Sequence, residues 1–314
     1  MTPRLPYAVV VTDLDGTLLL PDGGISAPSR EVLQLLSERG VEVVLATGRH
    51  HCDGAAILRG LELPRPGYLI AANGSRVHRI AGAASPGKAA GCAAMELLLQ
   101  RNMDADVVCD LLQLLPADEE EISVNIFQGD EWRSSLDWSD QLELYKLSGF
   151  RYSLVRPLDL VAQYWRYLER EGTEAGGASS QNPLSAVEKL AFGSDNTERL
   201  HALERVIVAM YGTRTEVAFS SACCLDVCPL GAAKANAVQE LVARLPSNGA
   251  QLSMADCLAF GDGMNDLKLL QLAGKGCLMG NAHPRLKEAL PQLEVIGRNT
   301  EDGVAKKLRE IFNL

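Results

Sequence analysis

Short runs of apolar residues, each ending in polar ones, alternate with stretches of helical spacing near the start of the chain. Residues 7–12 and 41–46 are mostly apolar and rich in β-branched side chains, as is typical of strands buried on both faces of a parallel sheet. Between them, residues 26–40 carry apolar side chains at helical spacing and finish at Gly40, a residue type that commonly ends helices. The pattern predicts a strand, a helix and a second strand.

The same alternation continues and then returns late in the chain. Asn73-Gly74 is typical of a tight turn between two strands. Strand-like runs separated by helices predict a mainly parallel sheet. We expect further strands at residues 68–71, 76–80, 258–260 and 277–279, and further helices at residues 52–61, 266–272 and 303–312.

The middle of the chain differs in composition, because its apolar runs are mixed with isolated aromatic residues such as Trp132. We therefore predict an α/β fold: a doubly wound, parallel-sheet core made of residues 1–83 and 221–314, with an inserted α/β domain of residues 84–220. Within the insert, residues 171–183 are rich in Gly, Ser and Ala. Such a composition cannot bury enough apolar surface to offset chain entropy, so we expect a mobile loop there.

Charge and hydropathy exclude several classes of partner. The chain has 30 Lys and Arg against 40 Asp and Glu, a net charge of −10, which disfavours binding to nucleic acid or anionic lipid. The apolar runs are far shorter than the roughly 20 residues that cross a bilayer, and the first of them leads into acidic sequence without a signal-peptide cleavage site. We expect a cytoplasmic protein. The eight cysteines lack zinc-ligand spacing, so we expect neither a disulfide framework nor a metal-thiolate site.

Asp13-Leu14-Asp15-Gly16-Thr17 follows the first predicted strand. Residues two apart in a strand project to the same side, so Asp13 could attack phosphorus while Asp15 protonates the leaving oxygen and later deprotonates water. The Leu14 amide would face the same pocket. Two carboxylates beside a phosphate would repel one another, which indicates a divalent cation such as Mg²⁺. The alternative is a turn whose aspartates only cap backbone amides.

Ala46-Thr47-Gly48-Arg49 ends the second predicted strand, where the Thr47 hydroxyl, the Gly48 amide and a helix N-terminus could hold an anion. Thr-Gly is also ordinary loop sequence, and Arg49 could simply be paired on the surface. Lys234 begins an amphipathic segment. A lone lysine there is usually solvated surface.

Gly261-Asp262-Gly263-Met264-Asn265-Asp266 follows another predicted strand and opens a helix. Asp262 is placed to ligate the metal, and Asn265 to donate to a phosphate oxygen. Asp266 would either ligate the metal or hold the metal's ligands in place through hydrogen bonds. A helix cap alone would explain one carboxylate but not this grouping.

These elements occur in one order, each where a strand meets a helix, which is where open α/β sheets bind ligands. In this the chain resembles the haloacid dehalogenase-like superfamily, and within it the Cof-like phosphatases, which carry a type IIB α/β cap. The resemblance implies a phosphatase with an aspartyl-phosphate intermediate on Asp13 and Mg²⁺ held by Asp13, Asp15 and Asp262, with Asp266 behind them. It also implies phosphate contacts from Leu14, Thr47, Gly48, Lys234 and Asn265, and a further segment near the active site at Met279-Gly280-Asn281-Ala282.

The substrate stays open at this point. Thr47-Gly48-Arg49-His50-His51 is similar to a segment of family members that act on pyridoxal 5′-phosphate, whereas others with comparable caps act on sugar phosphates. His50 and His51 could meet substrate or could be exposed residues of a first helical turn. A phosphomutase would share nearly all these motifs, and a phosphometabolite-binding regulator without turnover is a further alternative. We expect a monomer or homodimer acting on a small phosphorylated metabolite, with no nucleic-acid or membrane partner.

Overall fold

The computed structural model describes residues 5–83, 95–116, 119–137, 145, 148–171, 181–245 and 251–314. In these ranges the strands are β1 (Val9–Thr12), β2 (Glu42–Ala46), β3 (Gly67–Ala71), β4 (Arg76–Ile80), β5 (Met95–Gln100), β6 (Ser123–Gln128), β7 (Glu131–Ser134), β8 (Tyr152–Leu154), β9 (Val187–Gly193), β10 (Thr215–Ser221), β11 (Cys224–Pro229), β12 (Cys257–Gly261), β13 (Lys275–Leu278) and β14 (Glu294–Val295). The α-helices are α1 (Ala27–Glu38), α2 (His51–Gly60), α3 (Ala105–Leu112), α4 (Pro157–Glu171), α5 (Thr197–Tyr211), α6 (Lys234–Val242), α7 (Leu267–Leu272), α8 (Pro284–Ala289) and α9 (Gly303–Phe312).

Internal contacts divide the chain into two units. The first unit contains Met1–Gln100, Asp140–Phe150 and Ala232–Leu314, and the second contains Arg101–Ser139 and Arg151–Gly231. These limits differ from the predicted boundaries at residues 84 and 220, because β5 extends the sheet of the first unit and β11 belongs to the sheet of the second. The assignment of these units as a catalytic core and a specificity cap stays a prediction.

The first unit is built on an eight-stranded sheet in the order β14-β13-β12-β1-β2-β3-β4-β5. The six strands from β14 to β3 pair in parallel, and β4 and β5 are antiparallel. The strands β1, β2, β3 and β12 are buried along their whole length, which explains why their sequences are mostly apolar. The predicted doubly wound α/β fold is confirmed for this unit.

Helices cover both faces of this sheet. The strand order runs one way from β1 to β3 and the other way from β12 to β14, so right-handed crossovers place α1 and α2 on one face and α7 on the other. In keeping with this, α9 packs against α1, and α6 packs against α7. The helix α1 begins where the Ser26 side chain accepts a hydrogen bond from the Ser29 amide, as N-cap residues do.

The predicted Asn73-Gly74 turn joins β3 to β4. Both residues have positive φ, 54° and 107°, and the antiparallel pairing resumes between Ala71 and Arg76. A Cβ atom on Gly74 would lie 2.7 Å from the Ala233 carbonyl oxygen. The turn therefore needs glycine both for its conformation and for its approach to the chain just before α6.

The second unit has a six-stranded sheet in the order β10-β11-β9-β6-β7-β8, antiparallel except for β7 with β8. The helices α3 and α5 pack against it, and α4 packs on α3. Alternate residues of β9 and β11, including Leu190, Phe192, Leu225 and Val227, contribute to the apolar core of this unit, as the two-residue period of a strand requires.

Two further expectations meet the structure only in part. Of the stretch 171–183 predicted as a loop, residues 172–180 lie outside the described residues. In the part of the chain that the structure describes, no helix has the length and apolar character needed to cross a bilayer. The cytoplasmic location stays a prediction.

Candidate active site

Three predicted motifs meet at one edge of the larger sheet. Asp13 follows β1, Thr47 follows β2 and Asp262 follows β12. Because β1 lies between β2 and β12 and all three strands are parallel, their carboxyl ends are adjacent. This edge is also where the strand order reverses, the usual place for a ligand in an open α/β sheet.

A cluster of three carboxylates occupies this edge. Oxygen atoms of Asp13, Asp262 and Asp266 lie within 4.8 Å of one another. Oδ2 of Asp266 accepts hydrogen bonds from the amides of Asp262 and Gly263, both at 3.1 Å. The Thr17 hydroxyl donates to Oδ1 of Asp262 at 2.8 Å. Two of the three carboxylates are thus fixed in place by neutral donors.

Lys234 is the cation of this cluster. Its side chain is buried, and Nζ donates to Oδ1 of Asp13 at 2.6 Å and to Oδ1 of Asp266 at 2.8 Å. Burial alone would lower the pKa of Lys234, but the two carboxylates more than offset this and raise it above its usual value. The alternative of a solvated surface lysine is wrong, because residues from the far part of the chain enclose it.

The cluster has a deficit of positive charge. Burial and the neighbouring carboxylates raise the pKa of Asp13 well above its usual value, although Lys234 opposes the shift. Burial and Asp266 raise the pKa of Asp262 to about 6. Among the residues that the structure describes, three carboxylates face one ammonium group in this cluster, and oxygen is the donor that Mg²⁺ prefers. The donor set therefore fits a divalent cation bound through Asp13 and Asp262. Both oxygens of Asp266 already accept hydrogen bonds, so this residue would support the two ligands without binding the cation.

The backbone conformation and close surroundings of Gly16 explain why the Asp13–Thr17 segment has glycine at this position. Its φ is +74°, and a Cβ atom there would lie 2.3 Å from Oδ2 of Asp262. Its carbonyl oxygen accepts a hydrogen bond from Nδ2 of Asn281 at 2.7 Å. The segment that contains Asn281 thus contacts the first motif, near the cluster, as predicted.

The structure does not bring Asp15 into the cluster. The strand β1 ends at Thr12 and the chain turns over Leu14–Leu18, so the strand period that would align Asp13 with Asp15 does not apply. The Asp15 carboxylate instead accepts hydrogen bonds from Nε and Nη2 of Arg49, at 2.8 and 2.5 Å. The predicted role of the Asp15 side chain as a metal ligand does not fit this geometry. Its role as acid and base stays a prediction.

The second motif forms the connection from β2 to α2. Thr47 is buried, and its hydroxyl oxygen accepts the amide of Arg49 at 3.0 Å, with Gly48 between them. The alternative that Arg49 is only paired on the surface is wrong. Its side chain is buried and bonds to Asp53 as well as Asp15.

Asn265 lies on the short turn that precedes α7. Its Nδ2 donates to Oδ1 of Asn73 at 3.0 Å, so the Gly261–Asp266 segment contacts the β3–β4 turn. An amide nitrogen has two N–H groups, which leaves one for a ligand. The phosphate contacts expected of Leu14, Thr47, Gly48, Lys234 and Asn265 stay predictions.

His50 and His51 are both buried, so the alternative of exposed first-turn residues is wrong. His50 caps α2 by accepting the Cys52 amide, and its ring stacks on Phe150 with 4.5 Å between centroids. Nη1 of Arg76 lies 2.8 Å from Nε2 of His51. Both rings therefore pack inside the first unit.

Sequence reasoning missed two partners at this edge. Asp53 was not singled out, although it lies four residues after Arg49, a spacing that commonly pairs charges. Asn73 was recognised only as a turn residue, and its contact with Asn265 spans 192 positions. Nothing local in the sequence indicates a contact of that range.

Comparisons with known proteins agree with this architecture. A sequence profile of haloacid dehalogenase-like hydrolases matches residues 10–308. An HMP-PP phosphatase of Escherichia coli is 33% identical over 299 residues, which cover 94% of this chain and 92% of that protein. A Haemophilus influenzae protein, whose name assigns it provisionally as a phosphatase, is 33% identical over 311 residues, 99% of each chain.

Solved structures resemble the chain over nearly its whole length. A haloacid dehalogenase-like hydrolase from B. subtilis has a TM-score of 0.72 at 21% identity, covering 96% of this chain and 99% of that one. A sugar phosphatase of HAD subclass IIB has a TM-score of 0.67 at 16% identity, covering 96% and 98%. At these identities the likeness establishes the fold alone.

Proposed function

The chain belongs to the haloacid dehalogenase-like hydrolase family, and from this premise we propose that it moves the phosphoryl group of a small metabolite first to Asp13 and then to water, with Mg²⁺ as cofactor. It is a phosphoric monoester hydrolase, as its relatives are named phosphatases. The observation that carries the detailed proposal is the buried cluster of Asp13, Asp262, Asp266 and Lys234 at the switch point of the sheet.

Asp13 is the nucleophile in this proposal. It is buried at the end of β1, where Lys234 holds one carboxylate oxygen at 2.6 Å. An oxygen of Asp13 attacks phosphorus, and the bond from phosphorus to the ester oxygen breaks while Asp15 gives that oxygen a proton. Water then attacks phosphorus, gives a proton to Asp15, and inorganic phosphate leaves with Asp13 restored.

Asp13 and Asp262 would hold Mg²⁺, and Asp266 would keep the Asp262 backbone in place. When bound, the ion offsets the negative charge of the carboxylates and of the phosphate. The Thr47 hydroxyl and the amides of Leu14 and Gly48 would surround the phosphate oxygens, with Lys234 and Asn265 contributing N–H donors. Lys234 also fixes the orientation of Asp13 while the phosphate approaches.

Two substrate classes follow from the sequence, sugar phosphates and pyridoxal 5′-phosphate. The comparisons support adding a third candidate, because the Escherichia coli relative is named an HMP-PP phosphatase. A structural neighbour is named a sugar phosphatase, which keeps the first class in the panel. We propose that these three classes contain the preferred substrate.

The test is phosphate release from HMP-PP, pyridoxal 5′-phosphate, several hexose phosphates and p-nitrophenyl phosphate, with Mg²⁺ or with EDTA. The wild-type chain is compared with Asp13→Asn and with the control Asp195→Asn, which alters an exposed aspartate of the second unit. We expect turnover that needs Mg²⁺, survives in the control and falls at least about 10³-fold in Asp13→Asn, as loss of a catalytic nucleophile does. Turnover that persists in Asp13→Asn would contradict the role of Asp13, and turnover unaffected by EDTA would contradict the metal.

A further inference from the structure

The guanidinium group of Arg49 lies between two carboxylates. Its Nε and Nη2 atoms donate to Asp15 at 2.8 and 2.5 Å, and its Nη1 atom donates to Oδ2 of Asp53 at 2.7 Å. The three donors come from one rigid plane. A change in the position of either carboxylate therefore changes the position available to the other.

Asp53 is the fixed end of this arrangement. It is fully buried in the first turn of α2, four residues after Arg49. The hydroxyl of Ser148 donates to its Oδ1 atom, so both carboxylate oxygens have donors. A buried charge with hydrogen bonds on each oxygen has little freedom to rotate.

Asp15 is the movable end. Its side chain is 57% exposed, whereas that of Arg49 is 7% exposed. The ring of Tyr145 packs over the guanidinium group with 5.1 Å from Cζ to the ring centroid, which adds a cation–π contact on the face of the plane. Arg49 is therefore held by Asp53 and Tyr145, and it presents two N–H groups to a carboxylate that is otherwise open to solvent.

We propose that Asp53 is a positioning residue, which acts through Arg49 to hold the Asp15 carboxyl group in the orientation that transfers protons during phosphoryl transfer. The inference rests on the proposed function, in which Asp15 is the acid and base. Each oxygen of Asp15 gives one lone pair to Arg49 and keeps another, so the held carboxyl group can still take up and release a proton. Holding a catalytic group in one geometry is a major source of rate enhancement, and small misplacements are costly.

Comparing a reactive leaving group with an unreactive one distinguishes a positioning role of Asp53 from a general structural role. An alkyl phosphate needs a proton on its leaving oxygen, whereas p-nitrophenolate leaves readily without one. The ratio kcat/KM reports the steps up to transfer of the phosphoryl group, so it is measured for a hexose phosphate and for p-nitrophenyl phosphate. Loss of the positioning should lower the first value far more than the second.

The variants are Asp53→Leu, which removes the acceptor for Arg49, and Asp53→Asn, which keeps an oxygen acceptor. The matched control is Glu42→Leu, because Glu42 is also a buried carboxylate paired with an arginine of the first unit. It begins β2, at the opposite end of that strand from Thr47. Loss of one buried carboxylate that pairs with an arginine is thus common to Asp53→Leu and the control.

For Asp53→Leu we expect kcat/KM to fall about 100-fold with the hexose phosphate and by less than about threefold with p-nitrophenyl phosphate, the first value being the lower end of what general acid catalysis contributes. Asp53→Asn should recover most of the loss, and Glu42→Leu should leave the ratio of the two substrates unchanged. An equal loss with both substrates, no loss with either, or the same split in Glu42→Leu would overturn the proposal.

A wild-type chain that hydrolyses no compound of the panel listed above would contradict the proposed function instead. Crystal structures of the wild-type and Asp53→Leu chains then decide the positioning. We expect Arg49 and the Asp15 carboxylate that it holds to be displaced from their wild-type positions in the variant. An Asp15 carboxylate in the same position in both chains would overturn the inference without reference to turnover.

Discussion

Nζ of Lys234 lies 2.6 Å from Oδ1 of Asp13, although 221 positions separate the two residues in the chain. The pair is buried, and the same nitrogen also reaches Asp266. The charge that fixes the proposed nucleophile therefore comes from the part of the chain that follows the second unit.

Replacing Lys234 with Met removes the cation and leaves carboxylates facing each other in a buried site. Breaking one side of a buried ion pair typically costs about 3–5 kcal/mol. We expect urea unfolding in EDTA at neutral pH to show a loss of that size, together with loss of turnover. Lys268→Met, at an exposed position of α7, is the control, and equal stability of the two variants would contradict the prediction.

Gly16→Ala tests the approach of the first motif to Asp262. The new Cβ atom would lie 2.3 Å from a carboxylate oxygen, so the Asp262 side chain has to move. Gly129 also has positive φ, +57°, but has nothing within 4 Å of a Cβ position. We expect Gly129→Ala to lose about 1–2 kcal/mol of stability from the backbone conformation, and Gly16→Ala to lose more, because its Cβ atom also displaces Asp262.

Activity should separate these two glycine variants, because only one of them displaces a proposed metal ligand. We expect turnover to fall at least about 100-fold in Gly16→Ala, in line with the cost of misplaced catalytic groups, and to stay near wild type in Gly129→Ala. Normal turnover in Gly16→Ala would show that Asp262 need not occupy the position seen here.

Magnesium should stabilise the folded chain through Asp262 and not through the side chain of Asp15. A ligand at 100 times its Kd adds about 2.7 kcal/mol to the free energy of unfolding. We expect Mg²⁺ to raise the melting temperature of the wild type and of Asp15→Asn, with reversal by EDTA. Asp262→Asn should lose the shift. If only Asp15→Asn lost the rise in melting temperature, the Asp15 side chain would be a metal ligand, contrary to the contacts that it makes in the structure.

Two buried thiols predict a fall in stability at alkaline pH. Burial raises the pKa of Cys257 and of Cys277 to about 12, whereas an exposed thiol ionises near pH 8.5. Above that value the unfolded chain releases protons that the folded chain retains. The stabilisation is therefore complete below pH 8.5 and is lost as the pH rises toward 12.

Urea unfolding at pH 8.0 and 9.5 measures this effect. We expect each thiol to account for a loss of about 1 kcal/mol over that interval. The double variant Cys257→Ala, Cys277→Ala should show a correspondingly smaller dependence on pH. Equal slopes for the variant and the wild type would mean that other groups control the alkaline loss.

The strands β1, β2, β3 and β12 could be predicted because each is buried along its whole length and is mostly apolar. The strands β5 and β14 were not predicted, and most of their residues are exposed. The positions of Asp13, Thr47 and Asp262 followed from the ends of β1, β2 and β12. The direction of the Asp15 side chain could not be obtained this way, because the strand ends at Thr12 and the Asp15 carboxylate bonds to Arg49, which lies after the next strand.

Contacts between distant side chains were also beyond the sequence pattern. Ser148 and Asp53 are 95 positions apart, and no local spacing relates them. The limits of the two units depend on which sheet receives β5 and β11. Strand pairing of that kind is decided by the assembled layers and not by the strand sequence itself.

The pairing of Val9 in β1 with Cys257 in β12 has a consequence for biosynthesis. Ribosomes add about 5–20 residues per second. Asp13 therefore leaves the ribosome on the order of tens of seconds before β12, the strand that completes its surroundings. A nascent chain therefore holds an unfinished sheet edge beside β1 throughout this interval, and catalytic competence cannot arrive before β12 has left the ribosome.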